Sequence, residues 1–401
     1  MALPATPIVK INLTGGASTF GNPFILGTSK LGSTDELASK VPNIIDISSS
    51  VASISTRRER NLLQDKFLNA SATIRVLDPN GYWNPQNTSS PYYPNLIPLR
   101  KIQVQATYSA TTYPIFYGYI TEYRYTYPKN QDIGYVDLIC VDAFRLLYNS
   151  SITSVPGAVN GDPTGTRINQ ILDIVGWNNA ARTIATGNTL CQADPGTTRT
   201  ALDAIRTVEF TEQGAFYVDR DGKAVFKSRQ QVYDSKSSAT ITKFSNVAGS
   251  PDIPYFNIAL AHDDKTIVNE ASITRIGGTA QVYDDIASQS LYFLKSVNAT
   301  NLLMQTDAEA ANLAYAYVLT RKDASVRIDS ITLDLVTIGY GAGILAALTL
   351  NYFDRMQITN ESQGSTTLVK TLQCFGVNHD ITPNTWLTTF VTQEPILDVM
   401  Y

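Results

Sequence analysis

Residues 101–107, Lys-Ile-Gln-Val-Gln-Ala-Thr, alternate apolar and polar side chains and are the clearest guide to the fold of this chain. In an extended strand successive side chains point to opposite faces, so Ile102, Val104 and Ala106 would share one face and the polar residues the other. The alternation therefore predicts a β-strand with one buried face.

Segments of the same kind lie on both sides of this strand. Residues 71–77 are strand-like and end at Asp78-Pro79-Asn80-Gly81, a strong turn sequence because proline fixes φ and Asn-Gly tolerates positive φ. Residues 115–127 and 135–141 are two further predicted strands with turn residues between them. Several strands at this spacing, without a helical period, predict a barrel or sandwich.

The period changes after residue 150. Ile168, Ile171, Leu172 and Val175 would share one face of a helix that ends near Gly176. A second helix is predicted at residues 201–210, after Thr200. A β-hairpin follows at residues 216–226, with Asp219-Arg220-Asp221-Gly222 as its turn. Helices followed by a hairpin predict a small α+β unit.

The rest of the chain is mainly strand-like, with one helix. Thr306 and Glu309 form a capping box, which opens a helix with Ala311, Ala314, Tyr315 and Val318 on one side. The predicted strands of this part are residues 258–261, 269–276, 328–336, 371–377 and 385–392.

These patterns divide the 401 residues into five parts. The predicted parts are an N-terminal arm (1–40), a first β-barrel domain (41–150), a small α+β insert (151–235), a second, mainly β insert (236–300) and a second β-barrel domain with one helix (301–401).

Composition excludes several classes of function. Lys and Arg number 31 and Asp and Glu 35, so a net charge of −4 provides no positive field for a phosphate backbone. The N-terminus lacks the pattern of a secretory signal, and the apolar run at residues 341–350 is far shorter than the ~20 residues of a membrane helix. Cys140, Cys191 and Cys374 are odd in number and far apart, so we expect three buried thiols rather than disulfides or a zinc site.

Four motifs have a possible chemical role and a simpler structural explanation. His262 beside Asp263 suggests an acid–base pair, but a surface histidine is favoured, and His379 beside Asp380 is expected to make a local turn hydrogen bond. Residues 219–222 resemble the start of a calcium loop, but Gln230 stands where the required Glu would be, so a hairpin turn is favoured. Residues 339–343, Gly-Tyr-Gly-Ala-Gly, lack the Lys-Ser/Thr of a phosphate-binding loop and are expected to form a β-turn. We assign no catalytic, cofactor-binding or metal-binding residue.

Two groups of residues are candidates for interfaces. Arg57, Arg58 and Arg60 carry planar guanidinium groups suited to a partner's carboxylates, and the alternative is a solvated strand edge. A loop rich in Pro, Ser and Asn carries large aromatic side chains that would contact a partner or a sugar, unless they pack over the end of the barrel. These aromatic residues are Tyr82, Trp83, Tyr92 and Tyr93.

A resemblance to a known family rests on two stretches. The first comprises Ile74-Arg75-Val76-Leu77-Asp78-Pro79-Asn80-Gly81, Trp83-Asn84-Pro85, Pro98-Leu99-Arg100-Lys101-Ile102-Gln103-Val104 and Ile115-Phe116-Tyr117-Gly118-Tyr119-Ile120. The second is Val377-Asn378-His379-Asp380-Ile381-Thr382-Pro383-Asn384-Thr385-Trp386, followed by Leu387-Thr388-Thr389. In content and order they resemble the opening and closing segments of minor tail proteins from long-tailed bacteriophages.

The resemblance implies a tail-tip, or baseplate, hub protein. Its expected fold is mainly β with α+β inserts, in which two tube-like β-barrel domains flank smaller inserted domains. Three chains would form a ring with an open channel, located at the tail tip of the virion and assembled in the cytoplasm of the host bacterium. The implied partners are further copies of the chain, the distal tail protein or tail tube, other tail-tip and fibre proteins, the tape-measure protein and DNA as passing cargo.

Two other functions remain open at this point. A receptor-binding or carbohydrate-binding tail protein would also be β-rich with tyrosines in its loops, but it requires a ligand pocket rather than a ring interface. A tail-associated cell-wall hydrolase requires a carboxylate pair, a Ser/His/Asp set or a metal site. No nucleophile elbow or HExxH motif occurs in the sequence, so a structural protein is favoured over an enzyme.

Overall fold

We describe the protein from a computed structural model, in which residues 3–14, 43–62, 66–127, 133–338, 341–362 and 366–395 are described. The fold is mainly β, as predicted. Its strands are β1 (Thr6–Asn12), β2 (Ile44–Asp46), β3 (Val51–Arg57), β4 (Arg60–Asn61), β5 (Lys66–Phe67), β6 (Ser71–Leu77), β7 (Arg100–Tyr108), β8 (Thr111–Thr126), β9 (Tyr135–Val141), β10 (Ser151–Ile152), β11 (Asp162–Pro163), β12 (Arg182–Ile184), β13 (Leu190–Cys191), β14 (Arg199–Thr200), β15 (Ala215–Val218), β16 (Ala224–Lys227), β17 (Ile241–Ser245), β18 (Asn257–Ala261), β19 (Glu270–Arg275), β20 (Gln281–Asp284), β21 (Ser296–Leu302), β22 (Arg327–Asp334), β23 (Arg355–Asn360), β24 (Leu368–Ile381) and β25 (Trp386–Gln393).

Fewer of the described residues are helical than lie in strands. They are α1 (Phe144–Asn149), α2 (Thr164–Ile174), α3 (Ala201–Glu212), α4 (Arg229–Ser235), α5 (Ile286–Tyr292), α6 (Asp307–Leu319), α7 (Leu335–Ile338) and α8 (Gly341–Thr349).

One large sheet organises the molecule. Its main path, among the described residues, is β18-β22-β25-β24-β3-β6-β9-β8-β7-β1-β2, with β23 on β24 and β17 on β23. Strands β1 to β9 on this path form a first half and strands β17 to β25 a second half. The halves meet where β24 pairs antiparallel with β3, with Ile381 opposite Ile54. This pairing is called the seam below.

Pairing among the described strands does not close either half on itself. Strand β2 pairs with β1, and β18 pairs with β22, and each is an end of the sheet. The expectation of two tube-like barrels therefore stays a prediction.

The strand predicted at residues 101–107 is confirmed as part of β7. Ile102, Val104 and Ala106 are fully buried, while the polar residues between them are half-buried. They belong to a hydrophobic core that also contains Trp386 and Phe390 of β25. Since this core includes residues of both halves, the seam is a packed contact and not only a set of backbone hydrogen bonds.

The first insert confirms the predicted α+β pattern. Thr200 caps α3 through its side chain, and Gly176 adopts a φ of +67° just after α2, where a residue without a Cβ is favoured. Ile168, Ile171 and Leu172 of α2 pack against Ile205 and Val208 of α3. Strands β15 and β16 form the predicted hairpin.

The second insert differs from the sequence-based expectation. Strands β17 and β18, which were assigned to it, pair within the large sheet. Helix α6, which was assigned to the second barrel domain, instead packs on the three-stranded sheet β20-β19-β21. Leu313, Ala314 and Tyr317 of α6 share one small core with Ala271 and Ile273 of β19, so the sheet and the helix form one packed unit.

The buried face of α6 also differs from the prediction. Its capping box at Thr306 and Glu309 is present as predicted. However, the face that packs on the sheet includes Leu313, Ala314 and Tyr317, while Tyr315 is exposed. The run is apolar on more than one side, so spacing alone did not fix which side is buried.

Two further segments depart from expectation. Residues 341–349, predicted to begin in a β-turn, form α8, because this run buries Ile344, Ala347 and Leu348 in the core. Residues 6–12 of the predicted arm form β1, which pairs with both β7 and β2. Residues 1–2 and 15–40 of the arm and residues 339–340 of the predicted turn lie outside the described residues.

Candidate assembly interface

Arg57 links the two halves of the sheet. Its Nη2 donates to both carboxylate oxygens of Asp380, at 2.9 and 2.8 Å. Both side chains are about half exposed, so the pair contributes at most about 1 kcal/mol. Its main effect is to fix the position of β3 beside β24 at the seam.

Arg58 is buried rather than presented to a partner. Its guanidinium lies 4.9 Å from the centre of the Tyr352 ring, and its Nε and Nη2 are buried without a hydrogen-bond partner. Burial also raises the pKa of nearby Asp142 to about 7, although the charge of Arg58 acts in the opposite direction. Both oxygens of Asp142 accept backbone N–H groups, from Ala70 and Phe144. Arg58 and Asp142 are thus two ionisable side chains buried inside the single chain.

Arg60 is likewise buried within the chain. Its guanidinium lies 5.5 Å from the Phe375 ring, and its Nη1 donates to Oε1 of Gln393 at 2.7 Å. Phe375 belongs to an aromatic cluster whose side chains come from the first half, the first insert and the second half. This junction cluster contains Phe67, Tyr217, Tyr352, Phe353 and Phe375. The expectation that Arg58 and Arg60 are accessible is therefore wrong for the single chain, because the junction cluster covers them.

The aromatic loop at residues 82–93 divides into buried and exposed residues. Trp83 is buried and packs against Tyr92, with ring centres 5.1 Å apart. Asp78 holds the loop, because its carboxylate accepts the backbone N–H groups of Tyr82 and Trp83. Tyr82 and Tyr93 keep 39% and 45% of their surface exposed. Trp83 is therefore packed against the sheet, which was the alternative to an interface role. Of the four aromatic residues, Tyr82 and Tyr93 are exposed to a partner.

The two histidines differ in environment. His262 is exposed, as predicted, whereas His379 is buried inside β24 and not in a turn. Trp386 donates its indole N–H to Nδ1 of His379 at 3.2 Å, and the Thr388 hydroxyl lies 3.0 Å from the same nitrogen. Burial, together with the charges of Arg220 and Arg58, lowers the pKa of His379 to about 3. His379 is therefore a neutral part of the core.

The turn at residues 219–222 connects the first insert to the second half. The guanidinium of Arg220 donates to the backbone carbonyls of Leu348, Thr349 and Leu350, at 2.5, 2.6 and 3.0 Å. These carbonyls at the end of α8 have no partner within the helix, so Arg220 caps it. The residues that resemble the start of a calcium loop thus make a structural contact.

The described parts of the chain also show how potential metal ligands, thiols and a large cleft are arranged. Within them no three His, Cys, Asp or Glu side chains are grouped as metal ligands, and the three cysteines are buried and unpaired, as predicted. None of the helices there is long and apolar enough to cross a membrane. A cleft of about 550 Å³ beside α6 is lined mainly by polar side chains, among which Lys370 pairs with Glu394 and Arg327 with Asp263.

The second insert has an exposed apolar surface that the sequence did not predict. Five large apolar side chains around α5 are more than half exposed, and Phe293 is 84% exposed. We call them the apolar knob: Val282, Ile286, Leu291, Phe293 and Leu294. The run Leu291-Tyr292-Phe293-Leu294 was the available signal, but an apolar run in a mainly β region is normally assigned to a buried strand.

Polar side chains hold the knob from beneath. Ser288 is the buried residue of α5 and donates to the carbonyl of Lys322 at 2.5 Å. Asn269, fully buried, donates to the carbonyl of Phe293 at 2.8 Å and accepts the N–H of Lys295 at 2.8 Å. The segment therefore has inverted amphipathicity, with its polar groups inward and its apolar groups in solvent.

Phe293 also has a strained backbone. Its φ of 61° and ψ of 176° lie in a region that is essentially restricted to glycine, at a cost on the order of 1–3 kcal/mol. The hydrogen bond that Asn269 donates to the Phe293 carbonyl and the one that it accepts from Lys295 hold this conformation. Strain that keeps a large aromatic side chain in solvent is typical of a contact surface.

A second surface feature lies between the two inserts. This insert cleft has a volume of about 430 Å³. Its floor is apolar and comes from α2, α3 and the ends of β19 and β21, through Ile171, Ala204, Val208, Ile276 and Leu303. An ion pair of Arg199 with Asp194 lies at its polar side.

Comparisons with known proteins support a common fold. No family model matches the chain, and no curated protein matches its sequence. Among solved structures, the 43 kDa tail protein of prophage MuSo2 from Shewanella oneidensis has a TM-score of 0.58 at 12% identity, over 87% of this chain and 96% of that one. A tail protein from Neisseria meningitidis has a TM-score of 0.55 at 11% identity, over 87% and 97%. A chain of the Francisella PdpA-VgrG complex, in its half-lidded form, matches 98% of this chain and 59% of its own length, with a TM-score of 0.52 at 9% identity.

Identity this low establishes the fold and not the activity. The two tail proteins are matched over nearly their whole length and over 87% of this chain. The resemblance inferred from the sequence is thereby confirmed at the level of structure: over most of its length, this chain has the fold of bacteriophage tail proteins.

Proposed function

We propose that this chain is a structural component of a phage tail tip, a hub protein that works by assembling and not by catalysing a reaction. The observation that carries the proposal is the fold, which matches two phage tail proteins over nearly their whole length. Among the described side chains, charged and polar groups at the seam, at the end of α8 and in the 550 Å³ cleft are used mainly in pairs and caps, which favours a structural role.

The seam suggests how such a protein forms a ring. Each chain joins two strand-rich halves side by side in one sheet, so each chain would supply two similar segments to a ring. Three chains would then supply six, which suits a sixfold tail tube. We propose that the two halves are the tube-like barrels of the hub, with both inserts between them in sequence, and that the hub is a homotrimer.

In this arrangement the ring would join the tail tube, or a distal tail protein, to the other tail-tip and fibre proteins. Its channel would pass the tape-measure protein and then DNA during genome ejection, after assembly in the host cytoplasm. A net charge of −4 is compatible with a channel wall that does not retain DNA. A structure of the ring with a positively charged, closed pore would contradict this hypothesis about the channel.

A cryo-electron microscopy reconstruction of the particle that contains this chain tests the proposal. We expect a threefold ring beneath the tail tube with an open axial channel. A peripheral position in the particle would contradict the hub and favour a receptor-binding protein, for which the exposed Tyr82 and Tyr93 would be the first residues to examine.

A further inference from the structure

The apolar knob and the insert cleft lie at opposite ends of one rigid sheet. Strands β19 and β21 are parallel, with Glu270 opposite Ser296 and Arg275 opposite Leu302. The knob residue Phe293 precedes β21, whereas the cleft residues Ile276 and Leu303 follow the far ends of β19 and β21. Strand β21 has seven residues, so the two features are about 20 Å apart. A chain therefore cannot place its knob in its own cleft.

The knob is large enough to form the centre of an interface. Its five side chains are between 57% and 84% exposed. Taking about 150 Å² for each side chain, they expose roughly 500 Å² of surface. Apolar patches of several hundred Å² mark interaction sites, and a stable interface buries about 800 Å² on each partner.

The cleft suits such a knob in size and chemistry. A cavity of about 150 Å³ lined by apolar side chains is sufficient to bind benzene. The insert cleft, at about 430 Å³ and with an apolar floor, therefore has room for the Phe293 ring and for Leu294 beside it.

Charge around the knob argues against a lipid surface. Lys295 is paired with Asp264, and Lys322 with Asp285. Segments that bind anionic membranes surround their apolar face with unpaired Lys and Arg. The cations near the knob are neutralised within the chain, which favours a protein cleft as its target.

We propose that the apolar knob of one chain inserts into the insert cleft of a second copy, so that neighbours in the ring contact each other head to tail through their inserts. The inference rests on the proposed ring assembly and names the surface that makes it. A patch on one end of a unit and a complementary pocket on the other give a heterologous contact, which closes into a ring when the rotation between copies permits.

Matched point variants of the full chain test both sides of the contact. Phe293→Gly removes the knob's largest side chain and relieves the strained backbone, so the monomer should be at least as stable as the wild type. Its control is Phe256→Gly, at a phenylalanine that is 71% exposed outside the knob. Thr197→Trp fills the cleft from an exposed position, and Thr198→Trp, at the neighbouring exposed residue, is its control.

Sedimentation velocity and native mass spectrometry provide the readout. We expect the wild type and both controls to form the ring, and each test variant to associate at least about tenfold more weakly. An equal mixture of the two test variants retains one intact contact, between the knob of the Thr197→Trp chain and the cleft of the Phe293→Gly chain. The mixture should therefore yield a heterodimer and no larger species.

Several outcomes would overturn the proposal. It fails if Phe293→Gly assembles like the wild type, or if the mixture of test variants stays monomeric. It also fails if the wild type binds phosphatidylglycerol vesicles through Phe293 while its oligomeric state is unaffected by the substitution. A wild-type chain that stays monomeric at high concentration contradicts it as well.

The tail-tip proposal is tested separately by the position of the chain in the particle. If the chain forms the tail-tip ring but Phe293→Gly assembles normally, the knob assignment alone fails. If the chain assembles through the knob but is absent from the tail tip, the proposed function alone fails.

Discussion

Arg220 is the residue in the turn at 219–222 on which the contact between the first insert and α8 depends. Replacing it by Ala removes three hydrogen bonds to the carbonyls at the end of α8 and leaves partly buried acceptors unpaired. We expect Arg220→Ala to lower the free energy of unfolding by about 2–3 kcal/mol, measured by urea denaturation. Arg124→Ala, at an exposed arginine paired with Glu122, is the control and should change the free energy of unfolding far less, because solvent screens this pair. Equal losses in the two variants would contradict the capping role.

The aromatic loop offers a second test at this scale. Trp83→Ala should lower the free energy of unfolding by about 3–5 kcal/mol, because the buried indole leaves a cavity against Tyr92. Tyr82→Ala, at the neighbouring exposed ring, should lower it by less than about 1 kcal/mol. If both variants unfold at the same urea concentration, Trp83 is not packed as described.

His379 makes stability depend on pH. The folded chain keeps this side chain neutral, since its pKa is lowered to about 3, whereas the unfolded chain binds a proton below a pH of about 6.5. Stability should therefore fall as the pH drops from about 6.5 to 3, by at most about 1.4 kcal/mol per pH unit from this group.

Urea denaturation across this pH range measures the effect. His379→Gln should reduce the slope of stability against pH. An unaltered slope in His379→Gln would mean that the unfolding of the chain is not linked to this imidazole.

At the scale of elements, α6 begins at a complete capping box. The Thr306 hydroxyl accepts the N–H of Glu309 at 3.2 Å, and the Glu309 carboxylate accepts the N–H of Thr306 at 2.9 Å. Thr306→Ala should destabilise the second insert by about 1 kcal/mol. Hydrogen exchange of α6 amides measures this, with Thr300→Ala on β21 as the control. Unchanged exchange in Thr306→Ala would show that packing on β19 and β20 alone holds the helix.

Local signals determined which elements were predictable. The alternation in β7 and the capping box of α6 were sufficient, because each depends on neighbours within a few residues. The helical state of residues 341–349 depends on Arg220 and on a core that is distant in sequence, whereas the glycine-rich sequence by itself predicts a turn. For the same reason, nothing near Arg58 and Arg60 in the sequence indicated that Tyr352 and Phe375 would cover them.

The candidate interface was less predictable than the fold. The knob is apolar and exposed only because Asn269 and Ser288 hold α5 from its polar side. Prediction from periodicity assumes that apolar side chains face inward. An element whose apolar side chains face solvent is therefore not recognised in this way. Exposure of Phe293 could be found only from the packing around it.

At the scale of the whole molecule, the seam and the shared core should make the two halves of the large sheet unfold together. Native-state hydrogen exchange is expected to give the same opening free energy for buried amides of β9 and β25. The three-stranded sheet of the second insert, with its own small core, should open at lower free energy. If β25 exchanged well before β9, the halves would be independent domains.

The attachment of the second insert has a consequence for the evolution of this chain. Ala261 at the end of β18 lies opposite Arg327 at the start of β22. In the large sheet, residues 262–326 therefore occupy the position of the loop in a hairpin of β18 and β22. Entropy of loop closure grows only slowly with length, so lengthening, shortening or exchanging this segment would cost the sheet little. The β framework can thus be inherited unchanged while the segment between these two strands diversifies, and a recombinant chain with the segment replaced by a short Asn-Gly turn should still fold its large sheet.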